Sequence, residues 1–188
     1  MKTLTTAELD QIIRPVQGPI RSFHCGLDYV ETFLESCAEE VPHGVDINPD
    51  FQRGHVWTEQ QQVYFLECFM RGLVGEEGMT IRLNCPSWRT SPMPDSDMLD
   101  QVVCIDGLQR LTAIRGFLAG DIKPFGLHVS QFTGKYLPSR VRTCVLIKFY
   151  DFQYRKDLLT YYLDINGGGT QHTPTELERV RKLMEQTA

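Results

Sequence analysis

The chain has 188 residues, of which 41% are hydrophobic and 23% are charged, as expected for one globular domain with its own core. It contains no long apolar run and no apolar signal core near the N-terminus, so neither a membrane span nor secretion is expected. The formal net charge of -5 argues against a protein that grips nucleic acid with its whole surface. A local basic pocket is still compatible with that charge.

Six cysteines are scattered through the sequence without a CxxC pair. Structural zinc sites usually show closely spaced ligands, whereas free cysteine packs like a small hydrophobic residue. We therefore expect buried, reduced thiols in a cytoplasmic protein. A catalytic thiol or a metal ligand is the alternative.

Two helices are predicted in the first part of the chain. Leu27–Ala38 places its apolar residues on one helical stripe. Thr58 and Gln61 fit a capping box, in which each side chain satisfies a backbone donor at the start of a helix. That helix should run to about Arg71, where Gly72 can end it in a left-handed conformation.

The rest of the chain predicts strands and further helices without a regular βαβ alternation. The predicted strands are Met79–Asn84 (half-buried), Gln101–Ile105 and Thr143–Tyr150, and the predicted helices are Leu108–Leu118, Gln153–Leu163 and one that begins at Pro174 behind a Thr173 cap. The irregular segments are Cys85–Asp100, interpreted as a mobile loop or an inserted lid, Asp121–Arg142, and the glycine-rich loop Asp164–His172. This order predicts an α+β fold, with a small mixed sheet flanked by helices.

The segment Ile105–Arg110 joins a predicted strand to a predicted helix. Asp106 ends the strand, and Gly107 permits a sharp turn and the close approach of a ligand. The free N–H groups and the positive dipole end of the helix favour an anion at the same place. Gln109 and Arg110 lie on the first turn, so Arg110 can bind phosphate oxygens, while Asp106 can hold a metal ion or accept a proton. In the structural alternative, Asp106 caps the helix and Arg110 makes a surface ion pair.

Two further segments have a composition suited to ligand binding. In Phe51–Trp57, Arg53 suits an anion and an aromatic ring can stack on a base; alternatively the aromatic residues fill the core and Arg53 is exposed. In Asn166–Thr173, three consecutive glycines before a capped helix can cradle a phosphate, or they form a flexible connector. No segment matches a Walker motif or GxGxxG.

Together, these three segments resemble the N-terminal domain of GmrSD-type modification-dependent restriction enzymes, which belongs to the ParB/sulfiredoxin-like superfamily. The family pattern has a Pro-x-Phe/Tyr-Gln-Arg-x-x-Val-Trp box, an Asp-Gly-Gln-Gln-Arg-Leu-Thr box, and an Asn-x-Gly-Gly-Thr/Val loop that leads to a Glu-Leu helix. This chain carries PDFQRGHVW, IDGLQRLT and DINGGGTQHTPTEL in the same order. The resemblance covers about Leu27 to Arg181 and implies a ParB-like single domain over residues 1–188.

The resemblance also implies a nucleotide site. The second box is tied in the family to the binding and hydrolysis of nucleoside triphosphates (NTPs). The implied catalytic residues are Asp106, Arg110 and Arg53, with Asp106 as the ligand of Mg²⁺, which suits hard oxygen donors. The implied nucleotide-binding residues are Gln52, Gly107, Gln109, Thr112, Asn166, Gly168 and Gly169.

The sequence departs from the family in two respects. Leu108 stands where the second box has its first Gln, which removes one polar contact. The restriction enzymes continue into a helical region and an HNH nuclease domain, and no His-Asn-His arrangement occurs here. We therefore expect a free-standing domain that does not cut DNA by itself, in the cytoplasm of a bacterium or of a phage-infected host.

The leading expectation is a nucleotide-dependent enzyme that hydrolyses or transfers phosphate in DNA modification or in the recognition of modified DNA. One alternative is a DNA kinase that phosphorylates the hydroxyl of a hydroxymethylated base. Its acceptor groove would be formed by the Cys85–Asp100 loop with Arg82, Arg89, Arg140 and Arg142. The other alternative is a non-catalytic nucleotide-binding module, or a decoy that binds a protein partner in a restriction system.

Overall fold

A mixed sheet runs through the centre of the fold. The computed structural model describes residues 3–88, 92–140, 144–167 and 174–186. Within these ranges the strands are β1 (Arg21–Gly26), β2 (Val45–Asp46), β3 (Thr80–Asn84), β4 (Val102–Asp106) and β5 (Cys144–Tyr150), in the order β1-β5-β3-β4-β2. The pairs β3–β5 and β2–β4 are parallel, whereas β1–β5 and β3–β4 are antiparallel.

Helices cover both faces of this sheet. In the described part of the chain they are α1 (Thr6–Ile13), α2 (Val30–Glu40), α3 (Glu59–Met70), α4 (Glu76–Met79), α5 (Leu108–Ala119), α6 (Arg155–Gly167) and α7 (Pro174–Gln186). One apolar core lies between the sheet and α2, α3 and α5, and a second core lies on the other face under α6 and α7. The predicted α+β class, with a small mixed sheet flanked by helices, is confirmed. None of the described helices combines the length and apolar character needed to cross a membrane.

Local sequence signals located several elements correctly. The Thr58 side chain accepts a hydrogen bond from the Gln61 backbone, and the Gln61 side chain accepts one from the Thr58 backbone, so the predicted capping box starts α3. Gly72 has a φ of 73°, the left-handed conformation expected after that helix. The strand β4 and the helix α5 fall within one residue of their predicted bounds.

The structure corrects other predictions. The elements α1, β1, β2 and α4 were not predicted. The strand β3 is buried at all five residues instead of on one face, because it lies between β5 and β4 with a core on each side. The helix α6 continues past its predicted end at Leu163 as far as Gly167, so Asn166 is helical and not part of a loop.

The cysteines follow the predicted pattern in most positions. All six are free, and Cys25, Cys37, Cys85 and Cys104 are buried, whereas Cys68 and Cys144 are partly exposed. Burial raises the pKa of the Cys25 and Cys37 thiols to about 11 and that of Cys104 to about 12. These three thiols therefore stay protonated near neutral pH.

The strand directions determine which segments meet at each edge of the sheet. Asp106 ends β4 beside Arg82 in the middle of β3, and we call the edge of the sheet where β4 ends the Asp106 edge. The Cys85–Asp100 loop connects β3 to β4 at the opposite edge. There its described part binds the start of α6, with the Tyr154 hydroxyl donating to Asp95 at 2.6 Å. The described part of this loop is thus held against the start of α6, away from Asp106.

Candidate functional site

Asp106 lies between two arginine side chains at the end of β4. Its Oδ2 accepts hydrogen bonds from Arg82 Nη1 at 2.9 Å and from Arg110 Nη2 at 2.6 Å. The side chains of Arg82, Arg110 and Asp106 are 9%, 15% and 28% exposed, so all three charges are largely removed from water. Arg110 is thus not the surface ion pair of the structural alternative, and its guanidinium is held in place by a carboxylate.

Arg82 extends this ion-pair network away from Asp106. Its other terminal nitrogen binds Glu77 of α4, and Glu77 also accepts a hydrogen bond from Lys148 at 3.1 Å. Burial alone would lower the pKa of Arg82, but the neighbouring Asp106, Tyr161 and Glu77 raise it above its ordinary value. Arg82 therefore remains charged and fixes Asp106 from the β3 side.

Gly107 makes a close contact that only glycine permits. Its φ of 127° is rarely adopted by residues with a side chain, and a Cβ there would lie 3.1 Å from both γ-carbons of Ile81. The sequence predicted that a ligand approaches closely at this glycine. In the structure, the group that approaches closely is Ile81 of β3. Leu108, the departure from the family box, is buried in the core.

The first turn of α5 has no capping group among the described side chains. The N-cap position is Gly107, no side chain accepts a hydrogen bond from the helix start, and the turn carries no acidic residue. Asp106 therefore does not cap the helix, contrary to the structural alternative. An uncapped helix start offers N–H groups and positive dipole charge to an anion.

Gln109 holds the backbone of the segment that precedes α3. Its side-chain oxygen accepts hydrogen bonds from the backbone nitrogens of Val56 and Trp57 at 3.0 and 3.1 Å, and its amide donates to the carbonyl of Gly54 at 2.7 Å. This side chain was predicted to bind nucleotide, but its hydrogen bonds are made within the protein. Gln109 is a structural clamp beside the candidate site.

Replacing Gln109 with alanine is expected to release this segment. Three hydrogen bonds would be lost, which should lower the free energy of unfolding by roughly 1–3 kcal/mol. Amide hydrogen exchange at Val56 and Trp57 should become at least tenfold faster. The matched control is Gln101→Ala, which removes a side-chain bond to the carbonyl of His43. Equal exchange rates in the two variants would show that Gln109 is not the clamp.

Gln52 has a similar structural role on the other side of Arg53. Its side-chain amide donates to the carbonyl of Cys104 on β4 at 2.7 Å. Arg53 thus lies between Gln52, which is tied to β4, and Gly54, which is tied to α5. These tethers place the partly exposed Arg53 beside the β4–α5 junction.

The other predicted nucleotide-binding residues have different positions. Thr112 donates to the carbonyl of Leu108 at 2.9 Å, within its own helix. Asn166 donates to the carbonyl of Tyr162 at 2.8 Å, in the last turn of α6. The ring of Tyr162, one turn earlier in α6, packs against Phe51 with centroids 5.1 Å apart. Gly168, Gly169 and the predicted cap Thr173 lie outside the described residues.

The arrangement fits the predicted metal site poorly. Oδ2 of Asp106 already accepts from two guanidinium groups, and their positive charge opposes a cation bound to the same carboxylate. In the described part of the chain, no group of three or more His, Cys, Asp or Glu side chains could hold a metal ion. The assignment of Asp106 as a Mg²⁺ ligand therefore disagrees with its surroundings.

The predicted basic acceptor groove is also not assembled as expected. Arg82 is buried in the ion pairs with Asp106 and Glu77, and the described part of the Cys85–Asp100 loop lies at the opposite edge of the sheet. Arg140 is exposed, whereas Arg89 and Arg142 lie outside the described residues. The sequence did not reveal the ion-pair role of Arg82, although an arginine inside an apolar strand is a sign of a buried partner.

Comparison with known proteins supports the resemblance seen in the sequence. No curated protein and no solved structure matches the chain. The model of one family, described as the N-terminal domain of the GmrSD restriction endonuclease, matches residues 31–178. This range includes the 52–57 segment, the β4–α5 junction and the end of α6. Because the match spans most of the sequence, the chain belongs to the family of GmrSD restriction endonuclease N-terminal domains, which are components of restriction systems.

Proposed function

We propose that this restriction-system domain binds the phosphates of a nucleotide at the start of α5. The observation that carries the proposal is the combination of an uncapped helix start with the guanidinium of Arg110, which Asp106 holds at that end. Backbone N–H groups at a helix start and arginine side chains are both established donors to phosphate oxygens. The Nε of Arg110 is buried without a hydrogen-bond partner among the described residues.

Arg53 supports the same location. The tethers on Gln52 and Gly54 hold its backbone next to β4 and α5. A second cation there would add to the attraction for a polyphosphate, which carries several negative charges. Tyr162, whose carbonyl accepts from Asn166, packs against Phe51, the neighbour of Gln52. The 52–57 segment and the β4–α5 junction are thus neighbours in the fold although they are about fifty residues apart in the chain.

Binding is the part of the proposal that the geometry favours. Hydrolysis or transfer requires a group that activates water or a hydroxyl, and Oδ2 of Asp106 is occupied by Arg82 and Arg110. We therefore assign Asp106 as the residue that positions Arg110, and not as the base. This places the non-catalytic nucleotide-binding module ahead of the NTPase. The kinase alternative is weaker, because Arg82 of its predicted acceptor groove is buried in ion pairs with Asp106 and Glu77. No other observation favours it.

Nucleotide affinity tests the proposal directly. The wild-type protein should bind at least one of the four common NTPs in isothermal titration calorimetry. Arg110→Ala and Arg53→Ala should each weaken this binding roughly tenfold to hundredfold, because each removes charge-assisted hydrogen bonds to phosphate.

Arg115→Ala is the matched control for these variants. Arg115 is on the same helix, but it pairs with Glu31 of α2 at 2.6 Å, away from the helix start. The control should retain wild-type affinity. The proposal fails if no NTP binds the wild-type protein, or if the three variants weaken binding equally. Release of phosphate from the bound NTP, measured in the same samples, decides separately whether the site also hydrolyses.

A further inference from the structure

An open groove runs along the exposed side of α3, and we call it the α3 groove. It has a volume of about 660 Å³, against about 320 and 270 Å³ for two other cavities described on the molecule. Its lining residues are Trp57, Thr58, Gln60, Gln61, Tyr64, Phe65, Cys68 and Val74. None of these side chains carries a formal charge at neutral pH, so the groove suits a neutral ligand rather than a phosphate.

The chemistry of the lining fits a flat, polar-edged ring. The Trp57 and Phe65 rings lie 5.3 Å apart at an angle of 51°, and Tyr64 is 69% exposed although it is a large aromatic residue. Aromatic faces of this kind stack on planar rings. Gln60 adds a side-chain amide, a group that forms paired hydrogen bonds with the edges of bases, whereas the Gln61 oxygen is engaged in the capping box of α3.

The α3 groove adjoins the segment that Gln109 holds against the start of α5. Trp57 forms its wall at the start of α3, and the backbone nitrogen of Trp57 lies 3.1 Å from the side-chain oxygen of Gln109, in the first turn of α5. From Arg53 to Trp57 the chain advances four residues, which span at most about 14 Å even when fully extended. A ligand with phosphates beside Arg53 can therefore reach the groove with its other end.

We propose that the α3 groove binds the base of the nucleotide whose phosphates lie at the start of α5. This inference rests on the proposed function and extends it, since it names the surface that distinguishes a nucleotide from a bare polyphosphate. Tyr64 and Trp57 contact the faces of the base, and the amide of Gln60 contacts its edge. The Arg53–Trp57 segment connects the two halves of the site, and the Gln109 clamp fixes it.

The test compares a nucleotide with the corresponding phosphate chain alone. ATP, GTP, CTP and UTP are titrated beside inorganic tripolyphosphate. Tyr64→Ala should weaken binding of the preferred NTP roughly tenfold or more, as is typical when one stacking ring is removed. The same variant should leave tripolyphosphate affinity unchanged. Tyr136→Ala is the matched control, because Tyr136 is a partly exposed tyrosine that lines another cavity. It should change neither affinity.

Fluorescence gives an independent readout of the same contact. Trp57 and Trp88 are the two tryptophans of the chain. Trp88 stacks on Phe149, with ring centroids 3.9 Å apart, and packs against the core. In a Trp88→Phe background, the emission therefore reports on Trp57 alone. The preferred NTP should quench this emission, whereas tripolyphosphate should leave it nearly unchanged.

The outcomes separate this inference from the proposed function. If NTP and tripolyphosphate bind equally well and Tyr64→Ala changes neither, the base does not occupy the groove, although the phosphate site stands. If neither ligand binds, the proposed function fails and the base site fails with it. If Tyr64→Ala abolishes binding of a protein partner while NTP affinity is unchanged, the groove is a protein-docking surface and the inference is overturned.

Discussion

Replacing Asp106 with asparagine is expected to lower the free energy of unfolding by about 3 kcal/mol, near the lower end of the range for breaking a buried ion pair. The substitution keeps the shape of the side chain but removes the charge between Arg82 and Arg110. Arg82 is buried, so its charge would lose the less exposed of its two carboxylate partners while remaining out of water. The partial exposure of Asp106 limits the cost. Urea unfolding followed by circular dichroism measures the change.

Two further variants assign this effect to the buried charge. Asp121→Asn removes an exposed carboxylate just after α5 and should change stability by less than about 0.5 kcal/mol. Arg82→Met in the Asp106→Asn background should recover part of the loss, because it removes a buried charge that keeps only the exposed Glu77 as a partner. An Asp106→Asn protein as stable as the wild type would show that the ion pairs contribute little. The same protein should bind NTP more weakly, since Arg110 would no longer be held at the helix start.

The elements that could be predicted from the sequence are those with local signals. A capping box fixed the start of α3 at Thr58, because its two hydrogen bonds join residues only three apart. An apolar run followed by Asp106-Gly107 likewise located β4 and α5. The family motifs predicted that three distant segments form one site, and two of them, the 52–57 segment and the β4–α5 junction, meet in the fold. Each of these signals comes either from residues that are close in the chain or from a family motif that can be recognised as a unit.

The partners of the polar side chains could not be predicted in the same way. Gln109 binds a segment more than fifty residues away, and Arg82 meets Asp106 only because β3 pairs with β4 in a register that shifts between Arg82 and Leu83. No local pattern encodes that register. Gln109 was therefore assigned to the ligand and Arg82 to a DNA groove, although both stabilise the protein itself.

The elements that the sequence analysis did not predict also lack a local sequence signal. The strand β2 has only two residues, too few to show a period, and it forms because β4 offers it a parallel partner. The strand β1 is mostly exposed and polar, and its pairing with β5 defines it. The helix α1 buries none of its residues against the fold. The two strands form because they pair with a neighbouring strand, and α1 buries no apolar face. None of the three therefore shows a clear hydrophobic pattern in the sequence.

Replacing Gly107 with alanine should be the most disruptive single-methyl change at the candidate site. The backbone φ of 127° is strained for alanine, and the new Cβ would lie 3.1 Å from the Ile81 side chain and 3.2 Å from its Cα. Strain and overpacking together should lower the free energy of unfolding by roughly 3 kcal/mol. If the β4–α5 junction moves to relieve the strain and the crowding, the start of α5 moves with it. NTP affinity should therefore fall even in molecules that remain folded.

A second glycine and a double-mutant cycle separate the two causes. Gly18→Ala, at a position with open space around it, should change stability by less than about 0.5 kcal/mol. In an Ile81→Ala background, Gly107→Ala should cost less than in the wild type, because the two closest atoms are gone. The cost that persists measures the φ strain and the contact with the Ile81 backbone. If Gly107→Ala costs the same in both backgrounds, side-chain crowding contributes nothing. If it costs nothing in either, the tight junction between β3 and α5 does not require glycine, and the β4–α5 turn can adjust without moving the site.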